Sequence, residues 1–72
     1  MGATSTIKQI LIDKHMNITQ YAELLEKPKR TVVNTFMTDN FRISTLLTYL
    51  DRLDCELIVR DIDNGREYKI YP

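Results

Sequence analysis

The side chains best suited to chemistry in this 72-residue chain are hydrogen-bond donors, and they gather in one segment. Residues 27–42 carry Lys27, Lys29, Arg30 and Arg42 against one acid, Asp39, a local charge of +3. Within it, Lys29, Arg30, Val33 and Asn34 fall on the exposed N-terminal part of a helix whose Val32 and Phe36 turn inward. These side chains match what a duplex displays in its major groove. Arg and Lys donate to guanine O6 and N7, Asn pairs with adenine N6 and N7, and Val touches a thymine methyl. Asn17, Thr19, Lys27, Asn40 and Arg42 are of the types that bind phosphate, Asn17 at the start of a helix where free amides favour an anion. Taken alone, a four-charge cluster is ordinarily a solvated helix face. The flanks run the other way: Lys8 and Lys14 against Asp13, Glu23 and Glu26 before it, four basic against six acidic side chains after it. The ten basic and ten acidic residues cancel, which is unusual for a nucleic-acid binder, since counterion release needs a positive face.

Other chemistries find few residues to work with. Cys55 has no partner for an internal disulfide, and His15 is remote from it, so no metal is expected. No nucleophile–histidine–carboxylate set, carboxylate dyad, phosphate loop or metal cluster is readable, so neither enzyme activity nor a cofactor or small-molecule ligand is expected. His15 reads as a favourable charge near a helix end, and Cys55 as a small core residue. Tyr49, Tyr68 and Tyr71 suit packing or an interface better than a base-stacking platform. No signal peptide or membrane span is visible, which predicts a cytoplasmic protein of one domain, residues 1–72, with modest stability for its size.

The elements that position these residues follow from periodicity. Ile7, Ile10 and Leu11 predict a first helix over about 6–15, with Thr4, Ser5 and Thr6 as available caps. Asn17 and Gln20 form a capping box, with Met16 and Tyr21 as a staple, opening a second helix over about 17–26 that buries Tyr21, Ala22 and Leu25, with Leu24 widening the apolar face. Pro28 breaks the chain and restarts it as a third helix, about 28–37, ended by the turn residues Thr38, Asp39 and Asn40. Phe41 and Ile43 are expected to anchor the following loop. Ser44 caps a fourth helix, about 44–53, with Leu46, Leu47, Leu50 and Leu53 as its stripe. From Cys55 the period becomes that of a strand, and Asn64-Gly65 signals a hairpin over about 56–71. Its register stays open: a two-residue turn opposes Arg60 with Lys69, whereas longer loops pair the charges differently. The fold class is therefore α+β, four helices and a C-terminal β-hairpin.

Asn17-Ile18-Thr19-Gln20-Tyr21-Ala22-Glu23, Lys29-Arg30-Thr31-Val32 and Ser44-Thr45-Leu46-Leu47 resemble, in order and spacing, stretches of the Cro and phage-repressor helix-turn-helix family. Asn34, Asp39-Asn40-Phe41-Arg42 and Cys55 resemble the pattern of its very small members in Gram-positive bacteria and their mobile elements. The resemblance spans about residues 6–68. It implies a helix-turn-helix core, with Lys29, Arg30, Val33 and Asn34 reading bases. Three positions depart from the family. Its usual turn glycine is Glu26, so either Glu26 is left-handed, at about 1–2 kcal/mol, or the turn differs. Its capping Ser or Thr is Pro28, and a phosphate-binding Gln is Ile18.

Two functions are compatible with these residues. The first is a sequence-specific double-stranded-DNA-binding transcriptional regulator, a repressor acting by promoter occupancy as a homodimer on a palindromic site, with Ile58, Ile70 and Tyr71 of the hairpin edge at the dimer interface. The second is a protein-interaction module, antitoxin-like or a phage-encoded inhibitor of a host protein, favoured by the zero net charge.

Overall fold

Four helices precede a two-stranded antiparallel sheet in the computed structural model, which describes residues 2–72: α1 (Ala3–Asp13), α2 (Ile18–Leu25), α3 (Lys29–Thr38), α4 (Ile43–Asp51), β1 (Leu57–Arg60) and β2 (Glu67–Ile70). The α+β class and element order are those expected from the sequence. The chain divides into two compact units, Met1–Arg42 and Ile43–Pro72. None of the described helices is long and apolar enough to cross a membrane.

In the first unit, Ile7 and Leu11 of α1, Tyr21, Ala22 and Leu25 of α2, and Val32 and Phe36 of α3 are buried. Tyr21 and Phe36 meet with ring centroids 6.4 Å apart, and Ala22, with only a methyl group, lets α2 and α3 approach closely. Leu24 is exposed, so the apolar face of α2 is narrower than expected: Tyr21, Ala22 and Leu25 complete it. α1 begins three residues earlier than its periodicity indicated, with Gly2 as N-cap. Thr4, a candidate cap, lies inside the helix. Its backbone N–H donates to Asp39 Oδ1 (3.0 Å) and its hydroxyl to the Phe36 carbonyl (3.2 Å), joining the start of α1 to the end of α3. A Cβ on Gly2 would collide with the Asp39 carboxylate.

Three helices end in the same way. After α1, Met16 N–H reaches the Leu11 carbonyl and His15 N–H that of Ile12; after α2, Lys27 reaches Ala22 and Glu26 reaches Glu23; after α4, Cys55 reaches Leu50 and Asp54 reaches Asp51. These are Schellman closures, whose pivot needs positive φ. The pivots here are His15 (φ 55°), Glu26 (φ 57°) and Asp54 (φ 55°), and Asp39 (φ 48°) closes α3 with a single bond to Thr35. Glu26 thus adopts the left-handed alternative. Pro28 is the N-cap of α3 with extended ψ, one residue outside its expected place, and its carbonyl accepts from Thr31 and Val32.

In the second unit, α4 buries Leu47, Tyr49 and Leu50, with Leu53 buried just beyond it. Ile43 opens α4 and is exposed, so it does not anchor the preceding loop, whereas Phe41 is half-buried. The hairpin register pairs Leu57 with Ile70, Ile58 with Lys69, Val59 with Tyr68 and Arg60 with Glu67. The longer loop prevails because it sets Arg60 against Glu67 (3.0 Å) and leaves Lys69 to Glu56 (3.3 Å), avoiding the Arg60–Lys69 repulsion of a two-residue turn. The loop is shaped by Asp61 Oδ1 accepting from Asp63 N–H, Asn64 Oδ1 accepting from Arg66 N–H, and Gly65 at φ 74°. Leu57 and Ile70 are half-buried and, with Leu47, Leu50 and Cys55, line a hollow of about 220 Å³ beside α4.

Candidate nucleic-acid interface

All nine residues expected to contact a duplex lie in the first unit. α2 opens with the full capping box: Asn17 Oδ1 accepts from Gln20 N–H (2.8 Å) and Gln20 Oε1 accepts from Asn17 N–H (2.9 Å). Capping uses the oxygen of the Asn17 amide and leaves its NH₂ as a donor toward solvent, so cap and phosphate ligand are compatible roles. Thr19 is exposed on the first turn of α2, and Lys27 in the turn between α2 and α3. The turn has the left-handed pivot Glu26 followed by Lys27 and Pro28, so three residues separate the end of α2 from the start of α3.

On α3 the buried pair Val32 and Phe36 fixes which side faces outward. At about 100° per residue, Asn34 lies opposite their midpoint, Arg30 about 40° to one side and Thr38 about 40° to the other. Arg30, Asn34 and Lys29 are exposed, and among the described residues none of the three donates a side-chain hydrogen bond within the chain. Lys29 and Val33 lie on the flank, about 40° and 80° from the buried midpoint. Val33 is half-buried, while Lys29 reaches solvent because it begins the helix. The outward stripe is therefore centred on Arg30 and Asn34 rather than shared equally by all four expected base readers.

Met37 completes that stripe and was absent from the expected set. It is 78 % exposed, one turn beyond Asn34 and two beyond Arg30. The signal was present as the 30-34-37 spacing opposite Val32 and Phe36, but Met37 falls where the helix was expected to end. The hydroxyls nearby turn back onto α3: Thr35 Oγ1 donates to the Thr31 carbonyl (2.9 Å) and Thr38 Oγ1 to that of Thr35 (3.0 Å).

Beyond α3, Asn40 and Arg42 are exposed, and Asp39, the one acid of residues 27–42, is directed to Thr4. The backbone N–H of Thr4, donating to Asp39 Oδ1, holds the Asp39 carboxyl below its usual pKa. No carboxylate lies within ion-pair distance of Arg42 among the described residues, which leaves its charge available to an external anion.

The hairpin residues expected at a subunit interface divide between two faces. Ile58 and Tyr71 lie on one side with Arg60, Glu67 and Lys69, whose ammonium is 4.9 Å from the Tyr71 ring centre; Ile70 lies on the other side with Leu57. Among the described residues, no three His, Cys, Asp or Glu side chains are grouped to hold a metal ion. Cys55 is half-buried, its thiol 3.5 Å from the Leu53 carbonyl. No protein-family model, no curated protein and no solved structure matches this chain.

Proposed function

We propose that this chain is a cytoplasmic, sequence-specific double-stranded-DNA-binding regulator of the Cro and phage-repressor type, repressing by occupying a promoter as a homodimer on a palindromic site. The observation that carries this reading is the outward stripe of α3. Arg30 and Asn34 present unspent donors opposite a buried Val32–Phe36 pair, on a helix set off from α2 by a three-residue turn. Arg30 suits guanine O6 and N7, and Asn34 suits adenine N6 and N7, each good bidentate pair giving about 1–3 kcal/mol of discrimination. Asn17, Thr19, Lys27, Asn40 and Arg42 supply backbone contacts, which fix register without reading sequence. Lys29 and Val33 flank this stripe and complete the base-reading set.

Charge distribution supports the same reading. The first unit carries six basic and four acidic side chains, the second four basic and six acidic, so the zero total conceals a positive unit and a negative one. The protein-interaction alternative draws on that same zero total. Selection from a random duplex library separates the two. Enrichment of a palindromic site is expected, with Arg30→Ala and Asn34→Ala relaxing preference at defined positions, and Arg42→Ala weakening all sequences while lowering the salt slope by about 1. Failure to enrich any duplex, together with tight capture of a host protein, would favour the alternative.

A further inference from the structure

We propose that Met37 is a specificity-determining residue that packs on a thymine 5-methyl group, so the half-site read by α3 carries a thymine beyond the bases met by Arg30 and Asn34. The proposal rests on the nucleic-acid reading above and adds to it an apolar contact that sequence patterning had not assigned. Single exposed apolar side chains are ordinary on protein surfaces, so exposure alone carries no weight. What distinguishes Met37 is its position. It is 78 % exposed on the stripe opposite Val32 and Phe36, at the third place in the series 30, 34, 37. The first two places hold long or amide donors. Next to Met37, the Thr38 hydroxyl gives its proton to the Thr35 carbonyl, whereas the Met37 side chain is exposed on the outer side of that turn.

Geometry allows the three to work together. Arg30 to Met37 spans seven residues, about 10.5 Å along the helix. Successive base pairs are about 3.4 Å apart, so the stripe runs past about three base-pair steps. A helix in the major groove then sets a hydrogen-bonding Arg, a hydrogen-bonding Asn and an apolar Met against successive parts of one half-site. In that groove only thymine, among the four bases, offers a methyl group. The flexible, unbranched methionine adapts to such a target without a shaped pocket.

The test uses the full-length protein and the duplex recovered by selection. Each thymine of the half-site is replaced singly by uracil, which removes the methyl and keeps the pairing and the acceptors. The wild type is expected to lose about fourfold in affinity at one thymine, the worth of one buried methyl-sized group. Met37→Ala should lose a similar factor on the thymine duplex and become indifferent to uracil there, while Met37→Leu should keep the discrimination. If Met37→Ala is as sensitive to uracil as the wild type at every position, or the wild type is indifferent everywhere, the assignment of Met37 is wrong although duplex recognition stands. If no duplex is enriched, the nucleic-acid reading fails and this inference with it.

Discussion

Asp39 combines two local irregularities that stabilise each other. Its backbone is left-handed, a conformation short polar side chains tolerate better than others, and that twist at the end of α3 swings its carboxylate onto the Thr4 amide at the start of α1. A negative charge beside a helix N-terminus is favourable, and the hydrogen bond from Thr4 N–H lowers the Asp39 pKa. The sign of the linkage follows. A carboxyl whose folded pKa lies below its unfolded value contributes stability above the unfolded value and loses it as pH falls through the folded one. Asp39→Asn keeps an acceptor and the tolerance for left-handed backbone but cannot ionise. Its unfolding midpoint is expected to be lower at neutral pH and to change less than that of the wild type on acidification below about pH 4. Urea titrations of both proteins across that range check it; parallel midpoints would show that the carboxylate charge contributes nothing. No pattern in the sequence announces this contact, because the partners are 35 residues apart and each looks locally complete: Thr4 as a cap, Asp39 as a turn residue.

At the scale of elements, the legible features were the local ones. The capping box at Asn17 and Gln20, the break at Pro28 and the change to a two-residue period after Asp54 each follow from a few adjacent residues, and all are present. Features decided between elements were not legible. Leu24 is exposed because Tyr21, Ala22 and Leu25 already complete the buried face of α2, and the hairpin register turns on cross-strand charges that the Asn64-Gly65 signal does not weigh. Helix closure lies between the two. The sequence marked Glu26 as the odd residue at a glycine position, and the backbone there is left-handed at φ 57°. Glu26→Gly should remove a strain of about 1–2 kcal/mol while adding about 0.5–1 kcal/mol of unfolded-state entropy, a net gain of about 0–1.5 kcal/mol. For a domain of this size that raises Tm by a few degrees, since about 1 kcal/mol corresponds to about 4–8 °C. Thermal unfolding of the variant measures it directly. A fall in Tm would mean that the Glu26 side chain contributes more than its backbone costs.

At the scale of the whole molecule, the proposed function requires more than α3: a single helix in the major groove reads too few base pairs to be selective among the competing sites of a genome, and helix-turn-helix dimers gain selectivity by binding two half-sites about 34 Å apart. The second unit offers the means. Its sheet has only two strands, so both edges carry unpaired backbone groups, and apolar side chains crowd the hairpin: Tyr71 is 72 % and Ile62 91 % exposed, with Ile58, Val59 and Tyr68 also exposed. An exposed edge flanked by apolar residues favours strand pairing with another copy. The faces refine which residues matter. Ile70 is half-buried on the side that lines the hollow beside α4, whereas Ile58 and Tyr71 project from the opposite side and are free to meet a partner. The hairpin's own charges are already paired, Arg60 with Glu67 and Lys69 with Glu56, so a second copy approaches a surface without unmatched charge in the strands. The full-length chain is therefore expected to sediment as a dimer at micromolar concentration. Ile58→Lys combined with Tyr71→Lys should give a folded monomer with an unchanged far-ultraviolet spectrum, because both positions are exposed in the single chain. Its affinity for a palindromic duplex should fall to that for an isolated half-site. A double variant that still dimerises would remove the hairpin from the interface, and a wild type that stays monomeric at high micromolar concentration would remove the dimer itself.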